Sequence, residues 1–186
     1  MGFHTFDAER ADALEDPTRY AYLSADELLA LFDPGPDDEV ADLGSGTGFY
    51  TDDVAPYVGT VHAVDVQAAM HDQYREKGLP ENVETVTAAV ADLPFADDAL
   101  DGAVSTMTYH EFATEAALAE LGRVLAPGAR VGIGDWTAAG RGEGGPPLDE
   151  RFDASDARAA MADAGFDVDR AEDRRETFVL AAAWQA

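Results

Sequence analysis

Seven consecutive residues, Asp42-Leu43-Gly44-Ser45-Gly46-Thr47-Gly48, carry the sharpest chemical signal in the chain. Glycines at alternate positions place no Cβ between the backbone and a ligand, so main chain can approach it closely. A dinucleotide site spaces its glycines as G-x-G-x-x-G and rests a pyrophosphate on the helix that follows. Here Phe49 stands in the last of those places, which argues against a pyrophosphate and for a smaller, uncharged approach. Asp65 follows Val64, 21 residues beyond Gly44, where a carboxylate can accept hydrogen bonds from the vicinal hydroxyls of a ribose. Asp92, within Ala91-Asp92-Leu93-Pro94-Phe95, offers an acceptor for an adenine amino group, with Leu93 to pack on the ring. In so acidic a chain any single Asp is weak testimony. The ordered set of glycine loop, ribose acid and adenine acid describes an adenosine site that lacks phosphate contacts.

Farther along, Tyr109-His110-Glu111 combines a hydrogen-bonding aromatic, an imidazole and a carboxylate. His110 titrates near neutral pH and can take a proton from a nucleophile, or it can simply tie down a loop. Trp136, after Asp135, can stack on a planar molecule or close a core. No H-E-x-x-H or comparable metal spacing is present, and the absence of Cys removes thiolate nucleophiles, zinc knuckles and Cys-ligated clusters.

These residues must be gathered by regular elements. Apolar runs at 39–43, 60–64, 83–88, 100–106 and 129–135 read as strands, most too continuously apolar for a one-sided sheet. Helix-like segments at 50–57, 67–77 and 114–124 lie between them, and Leu118, Leu121, Val124 and Leu125 recur at helical spacing. Pro127-Gly128 is expected to break the last of these helices before its strand. This βαβα order predicts an α/β fold. The tail offers a helix over 155–164, stopped by Gly165, and an apolar run over 177–184, and two final strands with little between them predict an antiparallel edge hairpin. Ser24 with Glu27 three residues on reads as a capping box opening a helix in the N-terminal segment, which either caps the mouth of the sheet or covers a helix layer. Residues 140–147, with four Gly and two Pro, read as a flexible loop.

The chain of 186 residues holds 38 Asp plus Glu against 12 Lys plus Arg, a formal net charge of −26. One domain of this size buries roughly 70% of the surface of its unfolded chain, and 46% hydrophobic residues supply the core. No run approaches the roughly 18 apolar residues of a membrane span, and Met1-Gly2-Phe3-His4-Thr5-Phe6 fits neither a signal peptide nor a myristoylation site, so the expected compartment is the cytoplasm. Asp supplies 24 of the 38 acids, and Lys77 is the single Lys beside eleven Arg. That composition is salt-adapted, because at about 1 M salt the Debye length falls to roughly 3 Å and self-repulsion is screened. It implies a halophilic source and counts against a nucleic-acid partner. Arg170, Arg174 and Arg175 form the only local basic cluster and read as a solvated face.

With these motifs in place, the chain resembles the class I S-adenosylmethionine-dependent methyltransferases of the small-molecule type, in the group related to ubiquinone and menaquinone biosynthesis enzymes (methyltransferase type 11). The resemblance covers residues 39 to 136 well. It rests on the loop from Asp42 to Gly48, on Asp65, on Ala91-Asp92-Leu93-Pro94-Phe95, on Leu100-Asp101-Gly102-Ala103-Val104 and on Arg123-Val124-Leu125-Ala126-Pro127-Gly128-Ala129-Arg130. Ala129 stands where Gly is usual. A subgroup with an N-terminal His-x-Phe-Asp segment and a Gly-Pro-Pro loop is also similar, at His4, Phe6, Asp7 and Gly145-Pro146-Pro147.

The resemblance implies a Rossmann-like, doubly wound α/β sheet of seven strands, order 3-2-1-4-5-7-6, with strand 7 antiparallel. It implies a single methyltransferase domain over 1–186, with 1–38 as an N-terminal helical cap. The cofactor implied is S-adenosylmethionine, leaving as S-adenosylhomocysteine, with contacts from Asp42, Gly44, Ser45, Gly46, Gly48, Asp65, Val66, Asp92, Leu93 and Thr106. First and fourth strands then adjoin at the switch point, so ligands sit over their C-terminal ends. That aims His110 and Glu111, as catalytic candidates, and Tyr109 and Trp136, as substrate-binding candidates, at a small-molecule acceptor whose O, N or C atom receives the methyl group. No metal is expected, and monomer and homodimer both stay open. A non-catalytic adenosylmethionine-binding or partner-binding module is the alternative, and a nucleotide-cofactor oxidoreductase is disfavoured by the glycine spacing.

The charge yields the first prediction. Thermal unfolding from about 0.1 M to several molar KCl should show a melting temperature that climbs steeply with salt; a flat profile would remove the salt-adaptation reading.

Overall fold

The computed structural model describes residues 6–185, so Phe3 and His4 lie outside the described residues. One sheet contains β1 (Glu39–Leu43), β2 (Thr60–Asp65), β3 (Val83–Thr87), β4 (Leu100–Thr106), β5 (Leu125–Trp136), β6 (Phe166–Asp173) and β7 (Thr177–Trp184), in the order β3-β2-β1-β4-β5-β7-β6. Pairings among β1 to β5 are parallel, and β7 runs antiparallel between β5 and β6. This is the doubly wound order expected from the resemblance.

Continuous apolar strands arise because both faces of the sheet are covered. Successive residues point to opposite faces, and each face has its own core. Val40, Val61, Ala63 and Val179 pack with Leu28, Leu31 and Phe32 of α1 (Ala25–Phe32), Val54 of α2 (Thr51–Val54) and Tyr74 of α3 (Ala68–Lys77). Their neighbours Ala41, Val64, Phe178 and Leu180 face the other way. They pack with Tyr109 of α4 (Tyr109–Phe112), Leu118, Leu121 and Val124 of α5 (Glu115–Val124), and Met161 of α6 (Ala154–Asp163). Among the described residues no helix is long and apolar enough to cross a membrane.

Three local expectations change. The helix expected over 50–57 is one turn of α2 followed by a 3-10 turn, Ala55–Tyr57, because Pro56 has no N–H to continue the ladder. Pro127-Gly128 does not end α5; the helix stops at Val124, Leu125 is already extended, and Pro-Gly lies in a register shift of β5 between the pairs Leu100–Leu125 and Gly102–Arg130. Ahead of α1 the chain forms 3-10 turns, Ala8–Glu15 and Pro17–Ala21. At α1 itself Ser24 Oγ accepts from the Glu27 N–H at 3.2 Å, the first half of the expected box. The basic cluster is neutralised in place, Arg170 by Glu172, Arg174 by Glu27 and Arg175 by Glu143.

The largest correction concerns residues 140–147, which are pinned rather than flexible. Glu176, buried at the start of the β7 hairpin, accepts the N–H groups of Arg141, Gly142 and Glu143 at 3.1, 3.1 and 3.2 Å. From the other side the buried Arg151 donates to the carbonyls of Gly144, Pro146 and Thr137. An acceptor cluster and a donor fork thus staple a Gly-Pro segment whose own sequence supplies no ladder. Removing Arg151 strands those carbonyls, and each charged hydrogen bond is worth about 1.5–3 kcal/mol. Water recovers part of that loss, and a net cost of about 2.5 kcal/mol in Arg151→Ala should lower the melting temperature by roughly 5–10 °C, while an unchanged value would show that the segment holds itself.

Candidate active site

A cleft of about 850 Å³ opens where the parallel strands end and the strand order reverses between β1 and β4. Open α/β sheets bind ligands at this place, because connections leave neighbouring strands in opposite directions and part the backbone. Roughly 300–1,000 Å³ is the range of small-ligand sites, so the space suits two reactants side by side.

The glycine loop forms one wall. Gly44 and Gly46 have φ of +80° and +55°, and both line the cleft with Ser45. Their roles differ. A Cβ on Gly44 would fall 2.2 Å from Thr108 Cγ2, whereas one on Gly46 would meet only Leu14 Cδ1, at 3.2 Å. Gly44 therefore admits the loop after β4, and Gly46 presents its backbone to the cleft and the N-terminal turns. Asp65, at the end of β2, accepts from the Gly46 N–H at 3.0 Å through Oδ2 and from the Gln67 N–H at 2.8 Å through Oδ1. Each oxygen keeps a second lone pair. Ser45 Oγ is buried and has no hydrogen-bond partner among the described residues.

Of the expected cofactor residues, the structure brings Gly44, Ser45, Gly46, Asp65, Val66 and Thr106 into the lining, and leaves four outside it. Asp42 is buried below the loop, its Oδ2 accepting from Thr51 Oγ1 at 2.6 Å while Oδ1 has no partner among the described residues. Burial pushes its pKa up to about 6, against the pull of Thr51 and Arg19. Gly48 answers a packing need, since a Cβ there would lie 2.0 Å from the Tyr74 ring. Asp92 is exposed, and Leu93 belongs to the core, its N–H donating to Glu120 Oε1 at 2.9 Å. The wall expected from them is built instead by Ala88, Ala89, Val90 and Ala91.

On the other wall, α4 begins directly after β4 and carries His110 and Glu111 into the lining. Tyr109, on the opposite side of that turn, is fully buried against Phe112, Phe152 and Phe178 and does not reach the cleft. His110 Nδ1 lies 2.9 Å from Oδ2 of Asp135, whose side chain is 0% exposed. That carboxylate also accepts the His110 N–H at 2.7 Å and the Trp136 N–H at 2.8 Å. Burial alone would lower the imidazole's pKa; the bond to Asp135 and the charges of Asp135, Glu111 and Glu150 outweigh it and raise it. His110 Nε2 is 3.9 Å from Glu111 Oε1. Burial pushes Glu111 up to about 7, with His110 pulling it back down.

Two flanking segments complete the enclosure. Phe6, Arg10, Leu14 and Arg19 of the N-terminal segment line the glycine-loop end. Gln67 Nε2 donates to Phe6 O and Gln73 Nε2 to Ala8 O, tying those turns to α3. The Arg19 guanidinium lies 5.0 Å from the Phe49 and Tyr50 ring centres and donates to Leu14 O at 2.7 Å. At the other end the pinned segment lays Gly145, Pro146 and Pro147 beside Trp136, and a Cβ on Gly145 would sit 2.3 Å from the indole. Sequence reasoning missed Arg10, Arg19 and the partnership of Asp135 with His110; the last is separated by 25 residues and only the β4–β5 pairing joins it. No group of three or more metal-ligating side chains occurs among the described residues.

The chain and its fold are similar to known proteins. The family described as "Methyltransferase domain" matches residues 41–133. The crystal structure of a SAM-dependent methyltransferase from Aquifex aeolicus superposes with a TM-score of 0.86 at 30% identity, over 97% of this chain and 100% of that one. Demethylmenaquinone methyltransferase of Corynebacterium kroppenstedtii is 32% identical over 106 residues, 56% of this chain and 44% of the relative. O-methyltransferase rstn1 of Aspergillus nomiae is 28% identical over 95% of this chain and 84% of the relative. The chain spans 28–44% of the length of three curated relatives that it matches, the corynebacterial enzyme among them. The chain belongs to the methyltransferase domain family.

Glu111 makes the cleft's electrostatics measurable. Its pKa is raised on folding, so between about pH 4.5 and 7 the folded state holds a proton that the unfolded state has lost, and stability falls as pH rises through that window. Glu111→Gln cannot lose that proton. Its stability relative to wild type should therefore increase from pH 5 to pH 8 in paired denaturation curves; a constant difference would show that Glu111 titrates normally.

Proposed function

We propose that this chain transfers the methyl group of S-adenosylmethionine to an O, N or C nucleophile of a small molecule. The observation that carries the reading is the cradle at the switch point: glycine-loop backbone, a buried Ser45 Oγ with no partner among the described residues and a carboxylate with lone pairs to spare, together on one wall. These residues fit an adenosine with an uncharged linkage. Asp65 accepts from the ribose hydroxyls, Gly44, Ser45 and Gly46 meet the aminoacyl side, Val66 and residues 88–91 flank the base, and Thr106 closes the floor. Bound there, S-adenosylmethionine supplies a methyl group on a sulfonium sulfur and leaves as S-adenosylhomocysteine. The protein's share is binding and alignment, which lowers a two-reactant barrier by roughly 7–11 kcal/mol. His110 and Glu111 stand on the acceptor side as the residues that hold or move a proton, with Trp136 as a wall.

The N-terminal segment up to residue 38 works as a cap over the cofactor end of a single domain. The likeness to demethylmenaquinone methyltransferase supports the quinone-biosynthesis-like subgroup. The acidic, lysine-poor composition supports a salt-rich cytoplasm as its setting and a small acceptor rather than a nucleic acid.

Calorimetry with S-adenosylhomocysteine tests the cradle. Two charge-assisted hydrogen bonds of about 1.5–3 kcal/mol each are lost in Asp65→Ala, so affinity should drop by roughly two to four orders of magnitude. Unchanged affinity in a folded variant would sink the ribose assignment. A metabolite extract incubated with methyl-labelled cofactor at molar KCl should then give a labelled small-molecule product.

A further inference from the structure

We infer that the methyl acceptor is a phenol, and that His110, held by Asp135 as its positioning residue, takes the phenolic proton; this rests on the methyl-transfer reading above. Asp135 is committed to one task. Its oxygens accept the backbone N–H groups of His110 and Trp136, and the remaining bond is to His110 Nδ1. A donor at Nδ1 leaves the lone pair on Nε2, the edge turned to Glu111 in the lining. The imidazolium formed on proton uptake then lies beside Asp135, with Glu111 and Glu150 as the other acids facing it.

That arrangement selects among acceptors. A phenol ionises near pH 10 and imidazole near 6.5, a gap a positioned base can bridge, whereas an alkanol lies far above it. A carboxylic acid is already ionised and gains nothing from a base, and it would enter a wall that holds Asp135, Glu111 and Glu150. An ammonium would have to sit against a sulfonium of the same sign. The surrounding surfaces suit a flat ring: Trp136 and Phe112 line this end, and Pro146-Pro147 is fixed by the Arg151 and Glu176 staples before any ligand arrives. Preformed walls remove the ordering cost of building the slot on binding. In the step itself the phenolic O–H bond breaks and its proton goes to Nε2. Oxygen uses the retained pair to bond the methyl carbon, and the pair of the broken carbon–sulfur bond stays on sulfur.

The test uses p-cresol, p-toluate and 4-methylbenzylamine, of similar size, with methyl-labelled cofactor at molar KCl, alongside ¹⁵N spectra of His110 in the S-adenosylhomocysteine complex. Methylation of p-cresol at least tenfold faster than of the other two is expected, with Nδ1 carrying the proton. Asp135→Asn should lower kcat by roughly 10²–10⁴-fold with KM within a few-fold, and move the acid limb of the kcat profile to lower pH. A more acidic phenol, p-nitrophenol, should recover most of the lost rate. If Asp135→Asn does not fold, His110→Gln serves the kinetic arm, and the wild-type spectra stand alone. Preference for toluate or the benzylamine, no transfer to either phenol by protein that binds S-adenosylhomocysteine normally, or a proton on Nε2 rather than Nδ1 would each overturn the inference. Failure to bind S-adenosylhomocysteine at all would instead remove the methyl-transfer reading beneath it.

Discussion

The reversal of strand order between β1 and β4 is the constraint on which the rest of the molecule depends. Strands β1, β2 and β3 proceed outward on one side, β4 and β5 on the other. The connections after β1 and β4 therefore depart to opposite sides, and the sheet's C-terminal edge gapes between them. Everything that lines the cleft is attached to that edge or folded over it. The Gly44–Thr108 contact shows how tightly the two connections meet at its floor: the hydroxyl of Thr108 donates to Gly44 O at 3.3 Å, in the space a Cβ would need.

Much of this was legible in the chain because strands buried on both faces declare themselves as apolar runs and glycine loops as unusual spacing. What was not legible depended on contacts between distant segments. Gly48 and Gly46 look alike in sequence, yet one is required by the Tyr74 ring and the other faces the cleft. Asp92 and Leu93 read as an adenine acceptor and a ring contact, but both lie outside the cleft lining, Asp92 exposed with its N–H donating to Ala89 O and Leu93 in the core. Tyr109 and His110 are adjacent, so a one-turn helix necessarily sends them to different sides, and only the aromatic neighbours of Tyr109 decide which goes inward. The 140–147 segment has the composition of a free loop. Its order comes from Arg151 and Glu176, which local composition cannot report.

The surface and the interior use charge in opposite ways. Across the whole chain 38 acids face 12 bases, and ion pairs such as Arg75–Asp72, Arg130–Asp169, Arg170–Glu172 and Arg175–Glu143 join exposed groups whose attraction is weak and salt-sensitive. Inside, a few carboxylates are fixed by backbone N–H groups: Asp65 by Gly46 and Gln67, Asp135 by His110 and Trp136, and Glu176 by three successive residues. Such bonds are short-range and shielded from solvent, so the molar salt that relaxes the surface leaves them intact. Site geometry fixed in this way does not depend on the ionic strength of the medium.

The same device explains how a one-turn helix holds an imidazole in one orientation. Four residues of α4 give almost no intrinsic helix stability, and His110 on such a turn would ordinarily wander. Asp135 captures both the backbone N–H and the ring of His110, fixing the turn and the imidazole with a single carboxylate carried on a central strand. Since β5 is itself paired on both sides, with β4 and β7, the orientation of the ring is inherited from the sheet and not from the loop that bears it. Loss of that carboxylate therefore acts on the placement of His110 before it acts on its basicity. The strap over Trp136 is held by Glu176, immediately before the strand β7 that pairs with β5, so His110 and the wall facing it are referred to the same pair of strands.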